Sequence, residues 1–584
     1  MPGRYHLGIS YGHNATVAVI ADGRLIFCQS EERLNRIKNS TGFPWETLAH
    51  VYRHVCAPHD VASCSMFMAT KTGYLVMREV GFRATPFVSV LNGADIDAWR
   101  ADLEAADGAS EAYDRRVAAW ASDPATVAEA DTWFAKAARL PASKIFHVDH
   151  HVAHALSSLA FADDGDDRLI FTLDGEGDEL CATVSQLRDG ELVRLSATPR
   201  HLSLGKIYEL VTGLLGFKMM EHEYKVMGLA PYAKPEYCEA LRRKFEALLW
   251  VDEDGAWRGS LRGVRSTMVR LAELCRLQRF DAVAGALQDY AERMICAWIG
   301  HWVRRTGIGS IACAGGVFMN VKANQRVLAT DGVERMVVVP SCGDESTAIG
   351  CAVFGSRSLQ PELPIEPVRH LYLGQSYADE DVERLLRDGG LAEHLAIAEP
   401  ADLADAIARL LADGEIVARC AGPMEFGARA LGNRSILSHP GRTENIAVIN
   451  EAIKNRDFWM PFAPTVLDDE VESLVRDGAR MFSPFMMVSF DSTERGRRDL
   501  GAALHRADWT LRPQMLVRDA NPGYYAIIEA FRRRTGIGAV LNTSFNLHGE
   551  PIVGSPLDAI RTMANSGLRH LALNKFLISK PLPA

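Results

Sequence analysis

Two α/β domains in one chain, the first built on a doubly wound sheet, is the architecture that three features of this sequence predict. Short apolar runs are followed by glycine turns and then by helical periodicity, as in IACAGGVFMN (311–320) and MVVVPSCGDESTAIGCAVF (336–354). Strand–glycine–helix units of that kind make a parallel sheet with ligand at the carboxyl ends of its strands. A hairpin pattern opens the chain. A stretch with three prolines and little apolar periodicity, SRSLQPELPIEPVRH (356–370), then separates this region from a second set of helices and strands. The predicted first domain is 1–355, the linker 356–370 and the second domain 371–584.

Taken in order, HLGIS reads as a buried strand, GHNAT as a polar turn, and VAVIADGRLIFC as two strands about Asp22-Gly23. An opening hairpin with a Gly/Asn-rich turn is how actin-like ATPase folds begin. RLIFTLD (168–174) is a second buried strand, DGEGDEL its turn and ELCATVSQL its partner. Residues 281–305 read as one long helix, and no short-period repeat is evident. In the second domain DEDVERLLRDGG and ADLADAIARLLADG read as helices and EIVARCAG as a strand, giving an α+β or α/β fold. The final segment, about 555–584, is left free to pack back on the first domain.

Composition narrows the function classes. The 584 residues suffice for two or three full cores, with 48% apolar and 24% charged residues. A formal charge of −10 argues against a chain whose main task is gripping nucleic acid. No apolar run reaches membrane-spanning length, and the N-terminus lacks a signal-peptide pattern. The eleven cysteines are scattered without a CxxC, which suits a reducing cytoplasm.

Two constellations carry chemistry. GPMEFGARALGNRSIL (422–437) sets Glu425, Arg429 and Arg434 among Gly422, Gly427 and Gly432. Arginine clamps carboxylate-like or phosphate groups with paired donors, and glycines let backbone N–H groups approach the same anion. The segment therefore reads as an oxyanion pocket; a turn with solvated arginines is the plainer alternative. In HHVAHALSSLAFA, His150 and His154 lie four apart, on one face of a predicted helix. His147 and His151 crowd the same turn, and the strand-end carboxylates Asp174 and Asp344 fall where a doubly wound sheet gathers its ligands. Two histidines and two aspartates favour a divalent metal that accepts mixed N/O ligands, iron(II) or a relative. Histidines hydrogen-bonded within a core are the other reading. A zinc-protease motif is excluded because His151 stands where that motif needs glutamate.

GPMEFGARALGNRSIL, together with IKNRDFWMPFAPTVL (453–467), DWTLRPQ (508–514) and LNTSFNLHGEPIV (541–553), resembles the signature of the NodU/CmcH/TobZ family of O-carbamoyltransferases. The resemblance covers nearly the whole chain except about 64–145. It implies an actin-like (ASKHA) first domain, shared with tRNA threonylcarbamoyl transferases, and a YrdC-like second domain. HHVAHA, LDGEGD and SCGDES match the metal segments and put the ligands on His150, His154, Asp174 and Asp344. GGVFMN matches the phosphate-contacting turn and implicates Gly315, Gly316 and Asn320; EYKVMGLAPYAK places Lys225 and Gly228 near nucleotide or acceptor. EERLNRIKN (31–39) resembles an EERxxRxK element, in contact with the first domain's site or simply a solvated charged helix. In the second domain the match puts Arg429, Arg434, Lys454, Arg512, Asn542 and Ser544 around carbamoyl phosphate and Mg-ATP. Some members carry arginine where this chain has Met460, and many read His-Asp where this chain reads His13-Asn14.

The implied chemistry is formation of carbamoyl-adenylate from carbamoyl phosphate and ATP in the second domain. Transfer to a hydroxyl of a small natural product follows in the first, with His13 as general base because imidazole exchanges protons near neutrality. The acceptor stays open among aminoglycosides, macrolide sugars, cephems and nodulation factors. Phe82, Phe87, Trp99, Trp120 and Trp133 in the insert either wall its pocket or belong to a plain helical excursion. The oligomeric state, a homodimer included, is also left open. The rivals are a tRNA threonylcarbamoyl transferase fused to its activating domain and a non-catalytic ATP-binding protein. Acidic charge speaks against the first, and intact Arg, Lys, His and Asp at the matched sites against the second.

Overall fold

The computed structural model describes residues 4–68, 123–163, 167–188, 190–389, 395–454 and 456–581. Phe82, Phe87, Trp99 and Trp120 lie outside the described residues. The chain forms two compact units, residues 1–26 with 41–368, and residues 27–40 with 369–584.

The first unit is built on two five-stranded sheets. In the first, β1 (Tyr5–Ser10), β2 (Thr16–Ala21), β3 (Arg24–Ser30), β4 (Val61–Phe67) and β5 (Ile145–Val148) take the order β3-β2-β1-β4-β5. β1 runs antiparallel to β2, with Tyr5 opposite Ala21 and Ser10 opposite Thr16, and parallel to β4. The second sheet contains β6 (Arg168–Gly177), β7 (Leu180–Arg188), β8 (Glu191–Pro199), β9 (Ser310–Ala314) and β10 (Arg335–Val338) in the order β10-β9-β6-β7-β8. The two sheets share one plan: an antiparallel meander on one side of the first strand and two parallel strands on the other. This duplicated plan is the actin-like architecture. It escapes a search for sequence repeats because only the burial pattern, not residue identity, has to recur.

Helices join the strands. α1 (Pro124–Ala138) precedes β5, α2 (His150–Ser157) follows it, and α3 (Leu204–Leu214), α4 (Glu223–Leu229) and α5 (Phe280–Thr306) lie between β8 and β9. α6 (Val321–Leu328) connects β9 to β10, and α7 (Thr347–Leu359) follows β10. α7 occupies the first four residues of the predicted linker, since Ser356 is buried and the helix ends only at Gln360. Glycine lets it sit close: a Cβ on Gly8 of β1 would strike the Ala348 carbonyl, and one on Gly350 the Ala153 carbonyl of α2. The turn preceding α7 is thereby fixed against both β1 and α2.

In the second unit one eight-stranded sheet contains β11 (Ala396–Ala398), β12 (Val417–Cys420), β13 (Arg434–Ser438), β14 (Ala463–Leu467), β15 (Gln514–Leu516), β16 (Ala539–Ser544), β17 (His570–Leu573) and β18 (Phe576–Ser579). Its order is β11-β18-β17-β12-β13-β16-β14-β15. Both faces are covered. Ala418, Ile436, Leu541 and Leu571 point to one apolar cluster, while their neighbours Val417, Leu437, Val540 and Ala572 point to the other. Within the last segment Ser555 caps a helix, Pro556–Ala564, and β17 pairs with β12 inside this sheet.

Residues 27–40, which begin within β3, cluster with this second unit. Within the EERLNRIKN element Glu31 and Arg33 are buried, while Ile37 is exposed. Arg33 Nη2 donates to the Gly427 carbonyl at 2.7 Å, and Arg36 donates to the carbonyls of Pro551 and Ile552 at 2.9 and 2.6 Å.

Candidate metal centre and anion pocket

The candidate metal centre grows from α2. Asp149 caps this helix by accepting the Val152 N–H at 2.9 Å, and helical pitch then stacks His150 and His154 on one face. Asp174 reaches them from the end of β6, where pairing with β7 is interrupted beyond Leu173. Asp344 comes from the turn before α7. His150 Nε2 and His154 Nε2 lie 3.2 and 2.9 Å from Asp174 Oδ2, and each lies 3.7 Å from Asp344 Oδ1. One ligand atom from each of the four residues falls within 4.8 Å of the others. Burial alone would favour neutral groups. The two aspartates nevertheless push the His154 imidazolium up to about 9. The two histidines in turn hold Asp174 ionised, well below the usual carboxylate range, against the cost of burial.

The neighbouring histidines are excluded from this cluster. His151 Nδ1 sits 2.8 Å from Thr172 Oγ1, and burial, then the nearby His150 and His154 charges, lowers it to about 3. His147 Nε2 lies 3.1 Å from Asp131 Oδ1. The donor set itself fits a divalent ion: two imidazole nitrogens and two carboxylate oxygens converge, and among the described residues no lysine or arginine pairs with either aspartate.

The glycine turn after β9 lies beside Asp174. Gly315 has φ 97°, and a side chain there would meet the Leu173 backbone; a Cβ on Gly316 would stand 3.0 Å from Asp174 Oδ1. Asn320 has a structural task. Its side chain accepts the Ala323 N–H at 3.0 Å to cap α6 and exchanges two 2.9 Å hydrogen bonds with Gln288. Lys225 and Gly228 both lie on α4, with Lys225 Nζ 5.6 Å from the Phe217 ring centroid. His13 occupies the partly buried turn between β1 and β2. Trp133 of α1 meets Phe43, Trp45 and Phe134 edge-on, as part of an aromatic cluster.

In the second unit Glu425 organises the arginine loop. One oxygen accepts the N–H groups of Leu431, Asn433 and Arg434 at 2.8, 3.2 and 3.1 Å. Arg434 is fully buried, and its Nη1 donates to the carbonyls of Ala421, Gly422 and Asn433 at 3.0–3.2 Å. Its Nε approaches the Gly554 carbonyl at 3.4 Å. Arg434 therefore stitches the loop together. The loop's glycines serve the turn as well: Gly432 has φ 116°, and a Cβ there would run into the Tyr524 ring.

Arg512 is different. Its Nε is enclosed, and among the described residues its guanidinium makes no hydrogen bond or ion pair. Burial, then the charges of Arg429 and Arg456, hold it well below the ordinary arginine range. Lys454 is buried, and its Nζ donates to Ser544 Oγ at 3.1 Å and Asn546 Oδ1 at 2.7 Å. Burial and the charges of Arg456 and Lys38 lower it too. Asn542 donates to the Ala430 carbonyl and Thr465 Oγ1, leaving its own carbonyl oxygen buried without a partner. These mutually repelling cations form a cluster whose electrostatics call for an anion. Lys38, Arg456 and Asn546 were missed in the sequence. The signal for two of them was the spacing: Arg456 and Asn546 follow Lys454 and Ser544 by two residues.

Comparison with known proteins gives the family. The Carbamoyltransferase N-terminus family matches residues 124–353, and the Carbamoyltransferase C-terminus family matches residues 408–580. Nodulation protein NolNO of Sinorhizobium fredii is 32% identical over 98% of this chain and 79% of its own length. Nodulation protein NolO of Bradyrhizobium diazoefficiens is 35% identical over 74% of this chain and 79% of its own length. Nodulation protein U of Rhizobium tropici is 23% identical over 98% of this chain and 96% of its own length. The chain belongs to the carbamoyltransferase family, and it is a carbamoyltransferase enzyme. Among solved structures, HypF of T. kodakarensis aligns over 62% of this chain and 50% of its own, at 13% identity and TM-score 0.33. The fold assignment rests on the strand orders. No helix among the described residues is long and apolar enough to cross a membrane.

Proposed function

We propose that the protein is an ATP-dependent O-carbamoyltransferase working in two steps. In the second unit, carbamoyl phosphate is hydrolysed to carbamate and phosphate; a carbamate oxygen then attacks the α-phosphorus of ATP, releasing pyrophosphate and leaving carbamoyl-adenylate. In the first unit a hydroxyl of a small natural product attacks the carbamoyl carbon, AMP departs, and His13 takes the hydroxyl proton. The observation that carries this reading is the cationic pocket of Arg429, Lys454, Arg456 and Arg512, with Arg512 unpaired among the described residues. Two polyanions brought together need such compensation.

His150, His154, Asp174 and Asp344 would hold a divalent cation, with iron(II) suited to the donor set. When bound, that ion supplies Lewis-acid stabilisation of negative charge on a phosphate oxygen. The protein's own groups do the rest. The turn at Gly315 and Gly316, close to the Leu173 backbone and Asp174, would present backbone N–H groups to a phosphate beside β9, and Asn542 would offer its carbonyl oxygen to the carbamoyl amino group. The family matches do not favour the fused tRNA-modifying reading. The cytoplasm is the proposed location.

The test is incubation of the purified protein with ATP and carbamoyl phosphate while AMP and pyrophosphate are measured. Pyrophosphate should appear only when both substrates are present. Its absence, or formation of ADP in its place, would overturn the adenylate step.

A further inference from the structure

The turn that carries Asp344 also carries Glu345, whose carboxylate is engaged by groups other than the four metal-binding candidates. Glu345 is 6% exposed. Its Oε1 accepts the Ser341 hydroxyl at 2.5 Å, and its Oε2 accepts the Asn14 side-chain amide at 3.4 Å. Asn14 follows His13 directly and has φ 54°, a left-handed conformation that its short polar side chain tolerates when hydrogen-bonded. On the other side of the turn, the backbone of Gly12 exchanges hydrogen bonds with Gly42 at 2.9 and 3.1 Å. The His13 turn is thus held at two points, by the Gly12–Gly42 bridge and by the side-chain bond to Glu345.

We propose that Glu345 is a positioning residue that ties the His13 turn to the turn bearing Asp344, so that the imidazole and the metal cluster are held in one register. This inference rests on the carbamoyl-transfer reading with His13 as base. The physical reason is that transfer needs the hydroxyl, the base and the reacting carbon aligned within fractions of an ångström, while a tight turn between two strands has little packing of its own. The role needs a hydrogen-bond acceptor at the Glu345 position and not a charge, so the conservative amide should serve.

The test is a double-mutant cycle on the full chain, read in two ways. Hydrogen–deuterium exchange of the amides at 13–15 should quicken by about tenfold in Glu345→Ala and equally in Asn14→Ala, with no further change in the double variant. Glu345→Gln should stay close to wild type, and bound iron should be unchanged in all four proteins. Single-turnover AMP release from supplied carbamoyl-adenylate, with glycerol as probe acceptor, should fall about tenfold in the two alanine variants. Pyrophosphate formation from ATP and carbamoyl phosphate should not change. Additive exchange effects, unaltered exchange, or a Gln variant that behaves like Ala would overturn the tie. Wild-type protein that leaves carbamoyl-adenylate intact would count against the transfer reading alone, because the exchange cycle still decides the tie. Should Glu345→Ala fail to fold, Asn14→Ala and Glu345→Gln carry the same comparison.

Discussion

His154 Nε2 stands 2.9 Å from Asp174 Oδ2, and the aspartates beside this buried imidazole push it up to about 9. Without an ion, His154 therefore carries a proton through neutral pH. A metal ion needs the neutral ring and must displace that proton. Apparent affinity for iron(II) or another divalent ion should rise about tenfold per pH unit between pH 6 and 8 and level off above about 9. Calorimetric titration in buffers of different ionisation enthalpy reads the released proton directly. A flat affinity over this range would exclude His154 as a ligand.

His154→Ala should lower the bound metal and block carbamoyl transfer while carbamoyl-phosphate-dependent pyrophosphate formation survives. The four metal-binding candidates and the cationic pocket belong to different units of the fold. Metal analysis at wild-type content is the outcome that defeats this assignment.

Arg434 and Arg512 should behave in opposite ways. Arg434 satisfies main-chain carbonyls inside the loop, so Arg434→Ala should cost about 3 kcal/mol of stability and impair activity through folding. Arg512 has no partner among the described residues and sits beside Arg429 and Arg456, so Arg512→Met, which keeps the packed stem, should leave the melting temperature equal or higher. Adenylate formation should nevertheless fall by about 10³-fold, as expected for a lost cation on a transferring phosphoryl group. Thermal melts with and without ATP plus carbamoyl phosphate separate the two cases. The ligands should stabilise wild type and not Arg512→Met.

His13→Asn should keep metal content and pyrophosphate formation near wild type while single-turnover transfer from supplied carbamoyl-adenylate falls by about 10²–10⁴-fold. If His13 only hydrogen-bonds the intermediate, the loss should appear in its binding and not in the maximal rate. A mutant with an unaltered maximal rate removes His13 from the role of base.

Local pattern carried much of this protein. The predicted long helix at 281–305 is α5, Phe280–Thr306, because unbroken helical periodicity over that length has no competing strand reading. The i, i+4 spacing of His150 and His154 needs only helical pitch to put two imidazoles side by side. The strand–glycine–helix units appear as β9 with α6 and β10 with α7 for the same local reason. The meeting of Asp174 and Asp344 with those histidines required strands far apart in sequence to pair in register, and here the doubly wound pattern was a sufficient guide.

What only the tertiary structure decided concerns side chains whose meaning depends on their partners. Arg434 and Arg512 look alike as letters in glycine- or proline-flanked loops. One is consumed by carbonyls at 3.0–3.2 Å, and the other, enclosed as well, has no hydrogen-bond partner among the described residues. The EERLNRIKN element (31–39) showed its charged pattern in the sequence but not its partners, and in the fold Arg33 and Arg36 donate to the carbonyls of Gly427, Pro551 and Ile552. Sequence periodicity reports which face of an element is apolar, and so it determined the helices, the strands and the histidine pair. It carries no information on which distant polar group will satisfy a buried donor, and that pairing separates structural arginines from those free to meet a ligand.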